Sequence, residues 1–119
     1  MDVEITVEAL AGHLLGCQAS AASEEASPSP DILLLDVREP WEVQICALPN
    51  CLHIPMGELP DRLHHAVRPD QHIVVVCHHG VRSLHVTRWM REQGYTRTQS
   101  LAGGVDAWSA RIDPTLPVY

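Results

Sequence analysis

A chain of 119 residues can close one hydrophobic core but not two. Its 45% hydrophobic and 19% charged residues exclude a chain that is disordered through most of its length. A formal net charge of −7 excludes general binding to nucleic acid or anionic membrane, both of which reward a basic face. Phenylalanine is absent, so aliphatic side chains must supply most of the core.

Apolar runs are too short to cross a bilayer, and Met1-Asp2-Val3-Glu4 lacks the basic-then-apolar order of a secretory signal. A cytoplasmic location is expected, with Cys17, Cys46, Cys51 and Cys77 as free thiols rather than a disulfide framework. No cysteines stand as C-x-x-C, and the eight histidines fall into no zinc-ligand spacing, so neither metal nor cofactor is expected.

Glu4-Ile5-Thr6-Val7 is a weak strand, with Thr6 placed to cap a helix running to about Leu15. Residues 16–30, rich in Ala, Ser, Glu and Pro, have no periodic apolar face and predict a mobile surface loop. Ile32-Leu33-Leu34-Leu35 predicts a strand buried on both faces that runs into Asp36-Val37-Arg38. Pro40 suits the first turn of a helix to about Cys46, with Glu39 and Glu42 favouring its N-terminal end. Leu52-His53-Ile54 predicts a short strand. A helix from Gly57 or Glu58 to His65 presents Leu59 and Leu63 on one face, with His64, His65 and His72 solvated at its end and in the loop beyond.

Val74-Val75-Val76 predicts the next buried strand, and it delivers Cys77 to a loop, His78-His79-Gly80-Val81-Arg82-Ser83, before a helix over Leu84–Gln93 that Gly94 stops. Gln99-Ser100-Leu101 predicts a last strand and Val105–Arg111 a last helix, and Trp41, Trp89 and Trp108 are expected in the core or at its rim rather than in a ligand box. Pro114 and Pro117 predict that residues 112–119 lie extended on the surface. Strands alternating with helices, with no hairpin signal, imply crossover connections and a parallel sheet covered on both faces by helices. Ligands bind beyond the carboxyl ends of such strands, where Cys77, Asp36 and Arg38 all fall.

A cysteine at a strand end, ahead of a helix, meets unpaired N–H groups and the positive end of the helix dipole. Gly80 permits the tight turn, the loop can fold into an anion-binding nest, and Arg82 adds charge. Cys77 is therefore expected to be a nucleophile at neutral pH. Asp36 is expected to brace the loop or to pair with an arginine, and Arg38 to act alike, both as structural supports beside Ser83.

Asp36-Val37-Arg38, Cys77-His78-His79-Gly80-Val81-Arg82-Ser83, Gly94-Tyr95 and Leu101-Ala102-Gly103-Gly104-Val105-Asp106-Ala107-Trp108, in this order, resemble a single-domain rhodanese from about Ile5 to Ser109. The resemblance implies a five-stranded parallel sheet flanked by helices, in one α/β domain spanning 1–119. It also implies transfer of sulfane sulfur through a persulfide on Cys77, from thiosulfate or a persulfide to cyanide or a thiol. His78, His79, Gly80, Val81 and Arg82 would then hold a small anionic donor, and a thiol or dithiol protein could be the acceptor. Phosphatases of the same fold carry Cys-x5-Arg, whereas here the ring is Cys-x4-Arg, sized for one sulfur atom, and no general acid is evident. The alternative is a binding or redox-sensing module without turnover. Cys46 and Cys51 are candidate resolving thiols for which packing is the simpler role. Ala47-Leu48-Pro49 departs from the Gly-His-Ile step that many relatives of this kind have.

Overall fold

A computed structural model of the chain describes residues 2–21 and 32–119, with residues 15–21 described by backbone alone. Its elements follow in the order β1 (Glu4–Ile5), α1 (Val7–Ala21), β2 (Ile32–Asp36), α2 (Pro40–Ile45), β3 (Cys51–His53), a 3-10 turn (Met56–Glu58), α3 (Leu59–Ala66), β4 (His72–Val76), α4 (Val81–Glu92), β5 (Thr98–Leu101) and α5 (Gly104–Arg111). The five strands form one sheet in the order β1-β5-β4-β2-β3, every neighbouring pair parallel. This is the expected α/β architecture.

The apolar runs sort by strand periodicity onto two faces. Leu35, Ile73 and Val75 pack with Leu59 and Leu63 of α3 and Val86 and Met90 of α4. Leu34, Val74 and Val76 turn the other way, against Val7 and Leu10 of α1 and Val105 and Trp108 of α5. Each fully buried aliphatic side chain contributes about 1.5–3 kcal/mol, so this two-sided core fixes the strand register and with it the position of residues just past β2 and β4.

Several boundaries differ from the expectation. Thr6 does cap α1, its Oγ1 accepting from the Ala9 N–H at 3.1 Å, but the helix continues through Ala21 instead of yielding to loop at Gly16. Gln18, Ala19 and Ala21 are tolerant of helix, which explains the extension. The Cys17 side chain and residues 22–31 lie outside what is described. His72 belongs to β4 rather than to a loop, its Nε2 lying 2.7 Å from Gln99 Oε1 on the adjacent strand. Helix α4 begins at Val81, three residues early, because Gly80 (φ +97°) supplies a left-handed N-cap.

The largest correction is to residues 112–119. They turn instead of running extended: the Asp113 carboxylate accepts from the Thr115 N–H at 3.1 Å, and Ser109 Oγ donates to Leu116 O at 2.8 Å. Leu116 and Tyr119 pack back on the core. None of the described helices is long and apolar enough to cross a membrane.

Candidate active site

The site lies at the carboxyl ends of β2 and β4, which the register aligns by pairing Asp36 with Val76. Cys77 follows β4 and is 1% exposed. Its Sγ accepts from the Gly80 N–H at 3.1 Å and the Ser83 N–H at 3.3 Å, and lies 3.3 Å from Ser83 Oγ, which in turn lies 2.7 Å from Ser100 Oγ. Two backbone donors at the first turn of α4 thus converge on the sulfur.

The loop is clamped from behind by α5. The Val105 N–H donates to Cys77 O at 2.9 Å and the Asp106 N–H to His78 O at 3.1 Å, so the free donors of one helix N-terminus hold the carbonyls and leave the loop's own N–H groups facing the sulfur. Gly104 allows that approach, because a Cβ there would stand 2.3 Å from Cys77 O and 2.5 Å from His78 O. The Gly103-Gly104 pair is therefore part of the loop's mounting.

Asp36 and Arg38 form a fully buried pair. The Arg38 Nε donates to Asp36 Oδ1 at 2.9 Å and Nη2 to Oδ2 at 2.7 Å; Nη2 also reaches Cys46 O at 2.7 Å, and Nη1 the Tyr119 hydroxyl at 2.9 Å. Burial opposes the charge of Arg38, yet its bonds to Asp36 and Tyr119 hold its pKa above the ordinary value. The Ala47-Leu48-Pro49 departure is absorbed here: Leu48 is buried, and Cys46 O gives Arg38 its second acceptor.

Arg82 does not point its charge freely into the loop. Its Nη1 and Nη2 donate to Glu42 Oε2 and Oε1 at 2.8 and 2.7 Å, a bidentate pair in which the Glu42 side chain is 4% exposed. The Arg82 bonds, helped by the Glu39 N–H, outweigh burial and lower the Glu42 carboxyl to about 2. Bonding to Glu42, against burial, raises the Arg82 pKa. Tyr119 closes the network: its hydroxyl donates to Glu42 Oε1 at 2.9 Å, and its ring stacks on His78 with centroids 3.9 Å apart. Burial, with the bond to Glu42, pushes the Tyr119 hydroxyl up to about 12.

His78 lies between Tyr119 and His79, the two imidazoles stacking at 3.9 Å, while His79 is exposed. Burial, then the neighbouring His79, lowers the His78 pKa and favours its neutral form. His78, His79 and Asp106 bring ligand atoms within 4.8 Å of one another. The imidazoles are stacked face to face, so their in-plane lone pairs run alongside rather than converge as a cation requires. Cys51 is pushed up to about 12, first by burial and then by Asp36, and so stays a protonated thiol.

The structure brings the Gly80 and Ser83 N–H groups to Cys77 and pairs Asp36 with Arg38; sequence reasoning missed Glu42 as the partner of Arg82, and the bonds of the Tyr119 hydroxyl to Arg38 and Glu42. A conserved-looking spacing could not have signalled either, since the contacts join residues 40 and 77 positions apart.

The fold and site define an α/β protein that holds one cysteine sulfur in a cradle of backbone donors at the switch between strand and helix. The profile of the rhodanese-like domain family matches residues 19–111, and the chain belongs to that family. It is 34% identical over 90 residues to the chloroplastic rhodanese-like/PpiC domain-containing protein 12 of Arabidopsis thaliana, covering 72% of this chain but only 30% of that protein. It is 32% identical over 91 residues to a sulfurtransferase of Allochromatium vinosum, covering 76% of this chain and 84% of that one. Among solved structures, a rhodanese-like domain protein from Staphylococcus aureus superposes with a TM-score of 0.74 at 28% identity, covering 99% of both chains.

Proposed function

We propose that this chain is a sulfurtransferase that carries sulfane sulfur as a persulfide on Cys77, taking it from thiosulfate or a persulfide donor and passing it to cyanide or a thiol, including that of a partner protein. The observation that carries this reading is the convergence of the Gly80 and Ser83 N–H groups on a buried Sγ. In the first half-reaction the Cys77 thiolate attacks the outer sulfur of the donor. A new Sγ–S bond forms as the donor's S–S bond breaks, and sulfite or a thiolate leaves with the electron pair. In the second, the acceptor attacks the outer sulfur and the Cys77 thiolate leaves, so no external oxidant is consumed. Val81 and Arg82, in the first turn of α4, have no helical acceptor for their N–H groups, and these donors suit the charge on a second sulfur.

The relationship to the A. vinosum sulfurtransferase supports the same chemistry. Intact-mass spectrometry tests it. After thiosulfate, or separately benzyl persulfide, the wild-type chain is expected to gain one sulfur atom that cyanide removes, and Cys77→Ser to gain none. A wild type that gains no sulfur from either donor, or a Cys77→Ser variant that gains it equally, sinks the proposal.

A further inference from the structure

The persulfide site contains two arginines, and both are already spoken for. Arg38 is buried against Asp36, and Arg82 gives both terminal nitrogens to Glu42, whose two oxygens are filled by Arg82, the Glu39 N–H and the Tyr119 hydroxyl. Glu42 is held as an anion, so the charge Arg82 could offer a substrate is compensated within 3 Å. His78 is held toward its neutral form, and the remaining charged group beside it, Asp106, is an acid.

Exposed apolar side chains also stand beside the loop. Val81 in the loop is 65% exposed and Trp41 60%, the latter in edge contact with Tyr119 at 6.0 Å; Val118, next to Tyr119, is 69% exposed. A donor bearing a carbon group can cover these side chains, whereas thiosulfate cannot.

We infer that Glu42 sets the donor specificity of Cys77: by occupying Arg82 it turns the site away from the thiosulfate dianion and toward a low-charge organic persulfide whose carbon group packs on Trp41, Val81 and Val118. This rests on the persulfide function proposed above and names its donor class. In the step, the Cys77 thiolate attacks the terminal sulfur of R–S–SH. The Sγ–S bond forms, the S–S bond to R–S breaks, and R–S⁻ leaves with the electron pair while the proton stays on the transferred sulfur.

The test compares second-order rate constants for loading Cys77 from thiosulfate and from benzyl persulfide in wild type and Glu42→Gln. Glutamine keeps the shape and can still meet Tyr119, but it frees the charge of Arg82. The ratio of the thiosulfate to the persulfide constant is expected to rise about tenfold, or about 1.4 kcal/mol of transition-state stabilisation. Added salt gives a second readout that needs no variant. Thiosulfate loading of the wild type should not slow as ionic strength rises, because there is no net attraction to screen. An unchanged ratio in Glu42→Gln, or a steep fall of the wild-type thiosulfate constant with salt, overturns the inference while the persulfide function stands. Failure of both donors to load the wild type removes the function itself, and the inference with it.

Discussion

Replacing Gly104 with alanine isolates the mounting of the loop from its chemistry. The new Cβ would stand 2.3 Å from Cys77 O and 2.5 Å from His78 O, at a residue whose φ is +59°. The left-handed backbone alone costs alanine about 1–2 kcal/mol, and relieving the overlap by moving backbone costs about 1–3 kcal/mol more. That movement also weakens the two hydrogen bonds from Val105 and Asp106 to the same carbonyls, each worth about 0.5–1.5 kcal/mol. Gly104→Ala is therefore expected to lose roughly 3–8 kcal/mol, a large part of the about 5–15 kcal/mol that a domain has. The measurement is urea unfolding followed by circular dichroism, with Gly12→Ala alongside. Gly12 lies in α1, where an added Cβ would meet open space, so there alanine should stabilise by up to about 1 kcal/mol. At a temperature where Gly104→Ala remains folded, sulfur loading of Cys77 should slow by about tenfold or more, because the N–H groups of the displaced loop no longer aim at Sγ. A Gly104→Ala protein within about 0.5 kcal/mol of wild type and loading at the same rate would refute the view that α5 holds the loop by its carbonyls.

Tyr119→Phe keeps the ring on His78 but removes the hydroxyl that accepts from Arg38 and donates to Glu42, so it should cost about 1–3 kcal/mol in the same unfolding assay; no loss would show that the hydroxyl is equally well served by water. Glu42 is lowered from its ordinary 4.5 to about 2 in the fold, so the unfolded chain binds the extra proton first on acidification. Its stabilising contribution is complete above pH 4.5 and drains away as the pH falls toward 2. Unfolding free energy plotted against pH should therefore be steeper across that window in wild type than in Glu42→Gln, and parallel curves would contradict the pairing.

How much of this was legible in the sequence follows from how far apart the interacting residues lie. Ile32–Leu35 and Val74–Val76 announced central strands because burial on both faces leaves an uninterrupted apolar run, and Cys77 was conspicuous because a thiol, a glycine and an arginine interrupt the run at its end. Asp36 and Arg38 were recognisable because their partnership is local, two residues apart. Glu42 was legible only as an acid suited to a helix N-terminus, since nothing local says that the Arg82 guanidinium will fold onto it. Tyr119 was hidden by its setting: two prolines argued correctly against helix, but not against a turn that brings the segment back. The α4 boundary slipped because Val81 is a weak helix former, and its start is decided by the left-handed Gly80 and by the need to deliver N–H groups to a sulfur.

The place of β4 in the sheet has a consequence for how sulfur must move. Hydrogen-bonded to β2 on one edge and β5 on the other, and covered by side chains on both faces, it belongs to the part of a domain whose amides exchange only when the whole structure opens. Cys77 is anchored to that strand, so it cannot swing between two partners as a thiol on a flexible arm would. Under the function proposed above, donor and acceptor would each travel to the same fixed post, one leaving before the other arrives. A strict alternation of visitors is thus written into the strand order, and initial-rate patterns with two varied substrates should show the parallel lines of a ping-pong exchange.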